Sequence, residues 1–174
     1  MSEAQDKAQP EGGSGYRRLK EKRTLGEILD TAMSFERTAR DFYAALADRV
    51  GKPLRGFVQE LAHEEVQHYE LFKELSERPD VTQRVTDEIK APPSDHRFSD
   101  YIQAPKLDDF PDEQSVLQYA LGREQAAMEQ YFALAAETPA GPIRDLFRFL
   151  AYEELKHKAE LEKRYYELVY VTNV

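Results

Sequence analysis

The chain has 174 residues, enough for one domain with a sizeable core. Hydrophobic residues make up 41% and charged residues 33%, the balance of amphipathic helices with charged outer faces. A net charge of -9 argues against nucleic acid or an anionic membrane as partner, and the lack of cysteine excludes disulfides, thiolate metal sites and cysteine nucleophiles.

Residues 1–23 read as a polar, then basic, N-terminal tail, disordered over 1–15 and leading into the first helix from Tyr16 to Arg23. No apolar stretch in it resembles a secretory signal, and no run in the chain approaches the length needed to span a bilayer. A cytoplasmic protein is expected. The domain then runs over 24–174. Thr24 with Glu27 forms a capping-box pattern, so a helix starts there and runs to about Val50, where Gly51 ends it. Pro53 suits the first turn of a second helix, which reaches about Glu77 before Pro79. A proline-rich crossover follows, about 78–111, with a short helical piece around Thr82–Ile89 and a loop histidine, His96. A third helix covers about Asp112–Thr138. Thr138-Pro139-Ala140-Gly141-Pro142 is a turn, and a fourth helix extends from Pro142 to about Val169. Nothing reads as a strand. The fold class is all-α: a four-helix bundle of two antiparallel hairpins joined by a long crossover.

Spacing of alternately four and three picks out one core stripe per helix. The first runs through Leu29, Ala32, Glu36, Ala39, Tyr43 and Leu46, and the second through Val58, Leu61, Glu65, His68 and Phe72. The third runs through Leu117, Ala120, Glu124, Ala127, Tyr131 and Leu134, and the fourth through Phe147, Leu150, Glu154, His157, Leu161 and Arg164. Apart from the tyrosines and Arg164, the polar residues on these stripes are Glu36, Glu65, His68, Glu124, Glu154 and His157.

The two halves repeat. Glu36 with Phe42-Tyr43-Ala44-Ala45-Leu46-Ala47 aligns with Glu124 and Gln130-Tyr131-Phe132-Ala133-Leu134-Ala135. Leu61-Ala62-His63-Glu64-Glu65-Val66-Gln67-His68 aligns with Leu150-Ala151-Tyr152-Glu153-Glu154-Leu155-Lys156-His157. Glu36 and Glu65 stand nearly equidistant from their turn, roughly 22 Å along each helix at 1.5 Å per residue. Glu124 and Glu154 do the same in the second hairpin. If the hairpins pack about a pseudo-twofold axis, all six groups converge in one layer.

Four carboxylates and two imidazoles in an apolar layer are a full ligand set for two divalent cations, whose four positive charges they balance. Such oxygen-rich donors suit iron or manganese, with zinc as a further alternative. By repeat position, Glu65 and Glu154 are bridges and Glu36 and Glu124 terminal ligands. Tyr43 and Tyr131, two turns after the terminal glutamates, are core tyrosines that could also orient a ligand carboxylate. Glu60 with His63 forms another Glu-x-x-His, but its repeat counterparts are Phe149 and Tyr152, so it fails the test of the repeat. Glu64 and Glu153 match across the repeat one residue off the stripe and are expected to flank the site.

On Glu36, Glu65-Val66-Gln67-His68, Glu124 and Glu154-Leu155-Lys156-His157, the chain resembles the ferritin-like superfamily and, within it, the rubrerythrin group, over about 24–170. The resemblance implies a centre of two iron ions that reacts with hydrogen peroxide or dioxygen, in peroxidase-like or ferroxidase-like chemistry linked to oxidative stress or iron handling. The six residues would act through the metals. Lacking cysteine, this chain has no rubredoxin-type domain, so the electron donor is external. Typical rubrerythrins also carry a further Glu one turn after the ligand of the third helix, where this chain has Ala127. That departure bears on the exchange of carboxylate for histidine described in the family. A di-manganese catalase, a substrate hydroxylase, a non-catalytic iron-storage or delivery protein and a helical interaction module remain as alternatives, and a homodimer is left open.

Overall fold

The computed structural model describes residues 12–93, 107 and 111–171, and what is expected of residues 1–11 and of His96 lies outside them. The helices are α1 (Gly12–Lys20), α2 (Leu25–Arg49), α3 (Lys52–Glu77), α4 (Val81–Glu88), α5 (Glu113–Glu137) and α6 (Pro142–Tyr166), and a π-helical turn, Glu167–Val171, continues α6. There is no strand among the described residues. The fold is the all-α bundle of two hairpins expected: α2 packs on α3 and α5 on α6, and the chain crosses between the hairpins through α4.

Local chemistry sets the boundaries. The Thr24 hydroxyl caps α2 by accepting from the Glu27 amide at 3.1 Å, while the Glu27 carboxylate takes the Arg23 amide at 2.9 Å. The reciprocal bond of the capping box thus falls one residue early, on the amide before the cap. Asp112 caps α5 through the Ser115 amide at 2.7 Å. Gly141 starts α6 at φ 154, a conformation that a side chain would strain. Prolines occupy the first turns of α3 and α6, where no amide hydrogen is needed.

The buried apolar residues fall into two clusters. One joins Ile28, Leu29 and Ala32 of α2 to Phe72 and Leu75 of α3, Leu134 of α5, and Leu146, Phe147 and Leu150 of α6. The other joins Leu46 and Val50 to Val58 and Leu61, Leu117 and Leu121, and Leu161 and Tyr165. On every bundle helix the candidate ligands lie between the two. Each helix thus buries an apolar patch at either end and a polar group midway.

The N-terminal tail departs from expectation from Gly12 on, over residues 12–15, expected to be disordered, and over the basic stretch after them. Gly12–Lys20 is a helix, α1, packed on α2 and α5. Leu19 is fully buried in the first cluster. The Tyr16 hydroxyl donates to the Glu137 carboxylate, and the Arg18 guanidinium lies 5.2 Å from the Phe35 ring centroid. Gly15 lets the helix sit close: a Cβ there would come within 3.1 Å of Phe35 Cζ and 2.9 Å of Gln130 Oε1. The repeat gives no hint of α1, because α1 has no counterpart in the second half.

Leu19→Ala is therefore expected to destabilise the protein by about 2–4 kcal/mol, as for a leucine removed from a closed core site. Urea unfolding checks this, and a change under about 0.5 kcal/mol, the level of an ordinary surface substitution, would mean that α1 is not part of the cooperative core.

Candidate metal centre

The structure brings all six singled-out residues into the layer between the two apolar clusters. Glu36, Glu65 and His68 form one group, and Glu124, Glu154 and His157 a second; within each, one donor atom per residue lies within 4.8 Å of the others. Each group comes from a single hairpin, which is what equal distances from each turn require. His68 Nδ1 is 3.3 Å from Glu36 Oε2 and 3.8 Å from Glu65 Oε2. His157 Nδ1 is 3.6 Å from Glu124 Oε2. It is therefore Nδ1 of each imidazole that faces the carboxylates. The two rings stack across the hairpins with centroids 3.1 Å apart and planes 25° apart, so the two groups form one site.

The site is dry. The four glutamates are 4–7% exposed. Burial holds the Glu36 carboxyl well above its ordinary range, and the carboxylates of Glu154 and Glu65 push it the same way. Burial raises Glu154 well above its range too, with Glu124 adding to it. Glu124 is pushed up to about 8 by burial, with its hydrogen bond to Glu154 opposing. Glu65 is raised by burial against the pull of its hydrogen bond to Glu36. Within each hairpin the two carboxyl groups thus share a proton. Burial, then His157, lowers His68 to about 2, which keeps its imidazole neutral. The neutral His68 imidazole and the mutually repelling buried carboxylates match what a pair of divalent cations needs: an unprotonated ring nitrogen and negative charge without a partner. The donor set fits the metals read from the sequence.

Tyr43 and Tyr131 flank the layer, each 1% exposed. Burial raises both hydroxyls well above their ordinary range, with Glu65 next for Tyr43 and Glu154 for Tyr131. Both stay protonated donors beside the carboxylates. Glu64 and Glu153 lie outside the two groups. Glu64 Oε1 accepts from Arg164 Nη2 at 3.0 Å, and Glu153 Oε1 accepts from Lys156 Nζ at 2.7 Å. Glu60 and His63 are likewise outside, on a groove at the surface.

Sequence reasoning did not single out Arg123. Its guanidinium lies 5.1 Å from the Phe42 ring centroid, 5.8 Å from that of Tyr43 and 5.9 Å from that of Tyr119, and its charge acts on Glu65 and Glu124. The repeat carries the signal: Arg123 precedes Glu124 where Phe35 precedes Glu36. Lys158, the residue after His157, is fully buried and 3.7 Å from Glu162, another polar pair that a stripe pattern does not mark.

The Rubrerythrin family model matches residues 27–107, which span α2, α3 and α4 and end before α5. This stretch carries Glu36, Glu65 and His68 and is similar to the Rubrerythrin family. No curated protein and no solved structure matches the chain. The second hairpin is tied to the first by the internal repeat and by its own Glu124, Glu154 and His157.

Without metal, the carboxyl groups of the folded site keep protons that the unfolded chain loses near about pH 4.3. Their contribution falls as pH rises from there through the folded values, which for Glu124 is about 8. His68 acts in the opposite sense: its contribution is lost only as pH falls from about 6.5, its unfolded value, toward about 2. Above about pH 6.5 the carboxylates alone set the slope. Thermal melts of metal-free protein between pH 6.5 and 8.5 are thus expected to show a falling Tm, flattened by saturating divalent metal. A flat or rising profile without metal would contradict the burial of four repelling carboxyl groups.

Proposed function

We propose that the protein is a di-iron oxidoreductase that reduces hydrogen peroxide or dioxygen, with electrons from Fe(II) or an external donor. The observation that carries this reading is the pairing of two Glu, Glu, His groups, one per hairpin, across stacked imidazoles in a buried layer. The rubrerythrin match over the first group supports it. Glu36, Glu65 and His68 would hold one metal and Glu124, Glu154 and His157 the other. Bound as iron, the pair would supply two one-electron donors.

The chain's own groups do the rest. Four carboxylates would neutralise the charge of two divalent cations, and Nδ1 of each imidazole faces the same space. With the glutamates 4–7% exposed, the site admits only a small reactant, which suits peroxide or dioxygen better than an organic substrate. Tyr43 and Tyr131, protonated and beside Glu65 and Glu154, orient those carboxylates. The aromatic and aliphatic clusters on either side exclude bulk water, so the charges within act at low dielectric.

Fe(II) or Mn(II) is expected to raise Tm by roughly 5–10 °C per site at a hundredfold excess over Kd, the effect of about 2.7 kcal/mol on a protein of this size. Glu65→Ala with Glu154→Ala should abolish the rise; a full rise in the double variant would assign the stabilising metal to another place. The reaction itself is read by stopped-flow absorption of anaerobic Fe(II)-loaded protein mixed with peroxide. A diferric band that appears with peroxide and bleaches with reductant is expected, and tight iron binding with no redox response would leave a storage or delivery protein.

Ala127, half-buried on α5 next to the layer, offers no carboxylate to compete with His68. His68 is thus expected to keep its place in both oxidation states, whereas Ala127→Glu would let one metal move on oxidation. Paired oxidised and reduced crystal structures check this, and His68 released in the oxidised natural chain would refute it.

A further inference from the structure

Nearly complete burial of the six groups raises the question of how a cation reaches them. Two grooves cross the face shared by α3 and α6, and the repeat relates one to the other. The first, about 420 Å³, is lined by Gln59, Glu60, His63, Glu64, Gln67 and Arg164. The second, about 170 Å³, is lined by Phe149, Glu153, Lys156 and Leu75, with Arg84 and Glu88 reaching over from α4. In the repeat, Glu64 stands for Glu153, Gln67 for Lys156, Glu60 for Phe149 and Arg164 for Leu75. The two grooves are thus one feature present twice. In the second copy the crossover helix α4, anchored by the buried Val85, lies over the groove and brings Arg84 and Glu88 to its wall. In the first copy nothing from the crossover is placed over it among the described residues.

We propose that the open groove between α3 and α6 is the route by which a divalent cation enters the ligand layer, with Glu64 as the transfer ligand and Arg164 as its gate. The inference rests on the metal-site reading above. Glu64 stands where groove and layer meet: it precedes Glu65 on α3, its side chain is 29% exposed, and it lines the groove. Arg164 closes the passage from the opposite helix. Its Nη2 donates to Glu64 at 3.0 Å and its guanidinium lies 5.6 Å from the Phe57 ring centroid. Its Nη1 makes no hydrogen bond, although Glu60 Oε2 is 3.5 Å away. Half the guanidinium is therefore weakly held. An incoming cation that draws Glu60 and Glu64 to itself displaces Arg164 toward solvent and frees the Glu64 carboxylate to hand the ion inward. This gives a role to Glu60 and His63, the Glu-x-x-His pair that the repeat excludes from the centre: they sit at the mouth.

The test is stopped-flow loading of the metal-free full chain with Co(II) alone, followed by its visible absorption. The natural chain should take up two ions. Glu60→Gln with Glu64→Gln should load about tenfold more slowly, as expected when a cleft loses its attracting charge, and reach the same end point. Gly56→Trp provides a second variant that leaves every charge in place. A Cβ at Gly56 meets nothing within 4 Å, so the ring fills the groove rather than the core; it too should slow loading. Arg164→Gln should speed it, and Glu153→Gln, the matching change in the closed groove, should leave it unaltered. Circular dichroism confirms that each variant is folded. Groove variants that load at the natural rate would overturn the route, while a natural chain that takes up no Co(II) would overturn the metal-site reading beneath it.

Discussion

The mutual repulsion of four carboxyl groups in a buried layer is the constraint on which this structure depends. Glu36, Glu65, Glu124 and Glu154 are each buried, and burial pushes every one of them away from ionisation. Such groups leave water only at a cost of several kcal/mol each unless something compensates. The two apolar clusters on either side supply folding energy but cannot cancel the charge. Shared protons cancel part of it without metal, and two divalent cations would cancel all of it. Stability, protonation and metal affinity are thereby coupled at one level of the bundle.

The bundle is built twice from nearly the same hairpin, and what differs between the copies bears on access. Across the α2–α5 groove, one side of the layer is filled by the stacked rings of Phe42 and Tyr119 with Arg123 against them. The counterparts on the other side are Gln130, Thr31 and Phe35, and there α1 lays Gly15 and Leu19 over the gap. Across the α3–α6 face, α4 covers one groove and leaves its twin open. Each departure from symmetry closes one way into the layer. Duplication alone would have left matching gaps on both sides of the site.

Much of this was legible in the amino-acid sequence because helical periodicity is local and repeats are arithmetic. The stripes at spacings of four and three identified the bundle helices and put the six candidate ligands on them. Thr24, Asp112, Pro53 and Pro142 set helix starts within a residue or two, since capping depends on side chains a few positions away. The layer itself followed from counting residues to each turn, because antiparallel helices of fixed rise must meet at equal heights. Even Arg123 and Arg164 left a mark, as a mismatch in the repeat and a charge on a core stripe.

What the tertiary structure alone decided is the set of contacts between segments that share no pattern. The sequence marked Gly12–Lys20 as polar and basic; only the gap left by Gln130 and Phe35 makes it a helix with a buried leucine. The sequence excluded Glu60 and His63 from the centre but not from a groove leading to it. The stacking of His68 on His157 depends on how two hairpins dock, and no spacing within either hairpin encodes it. Periodicity fixes which face of a helix is buried. Which groove between helices stays open depends on volumes contributed from distant parts of the chain, and these become definite only when the chain has folded.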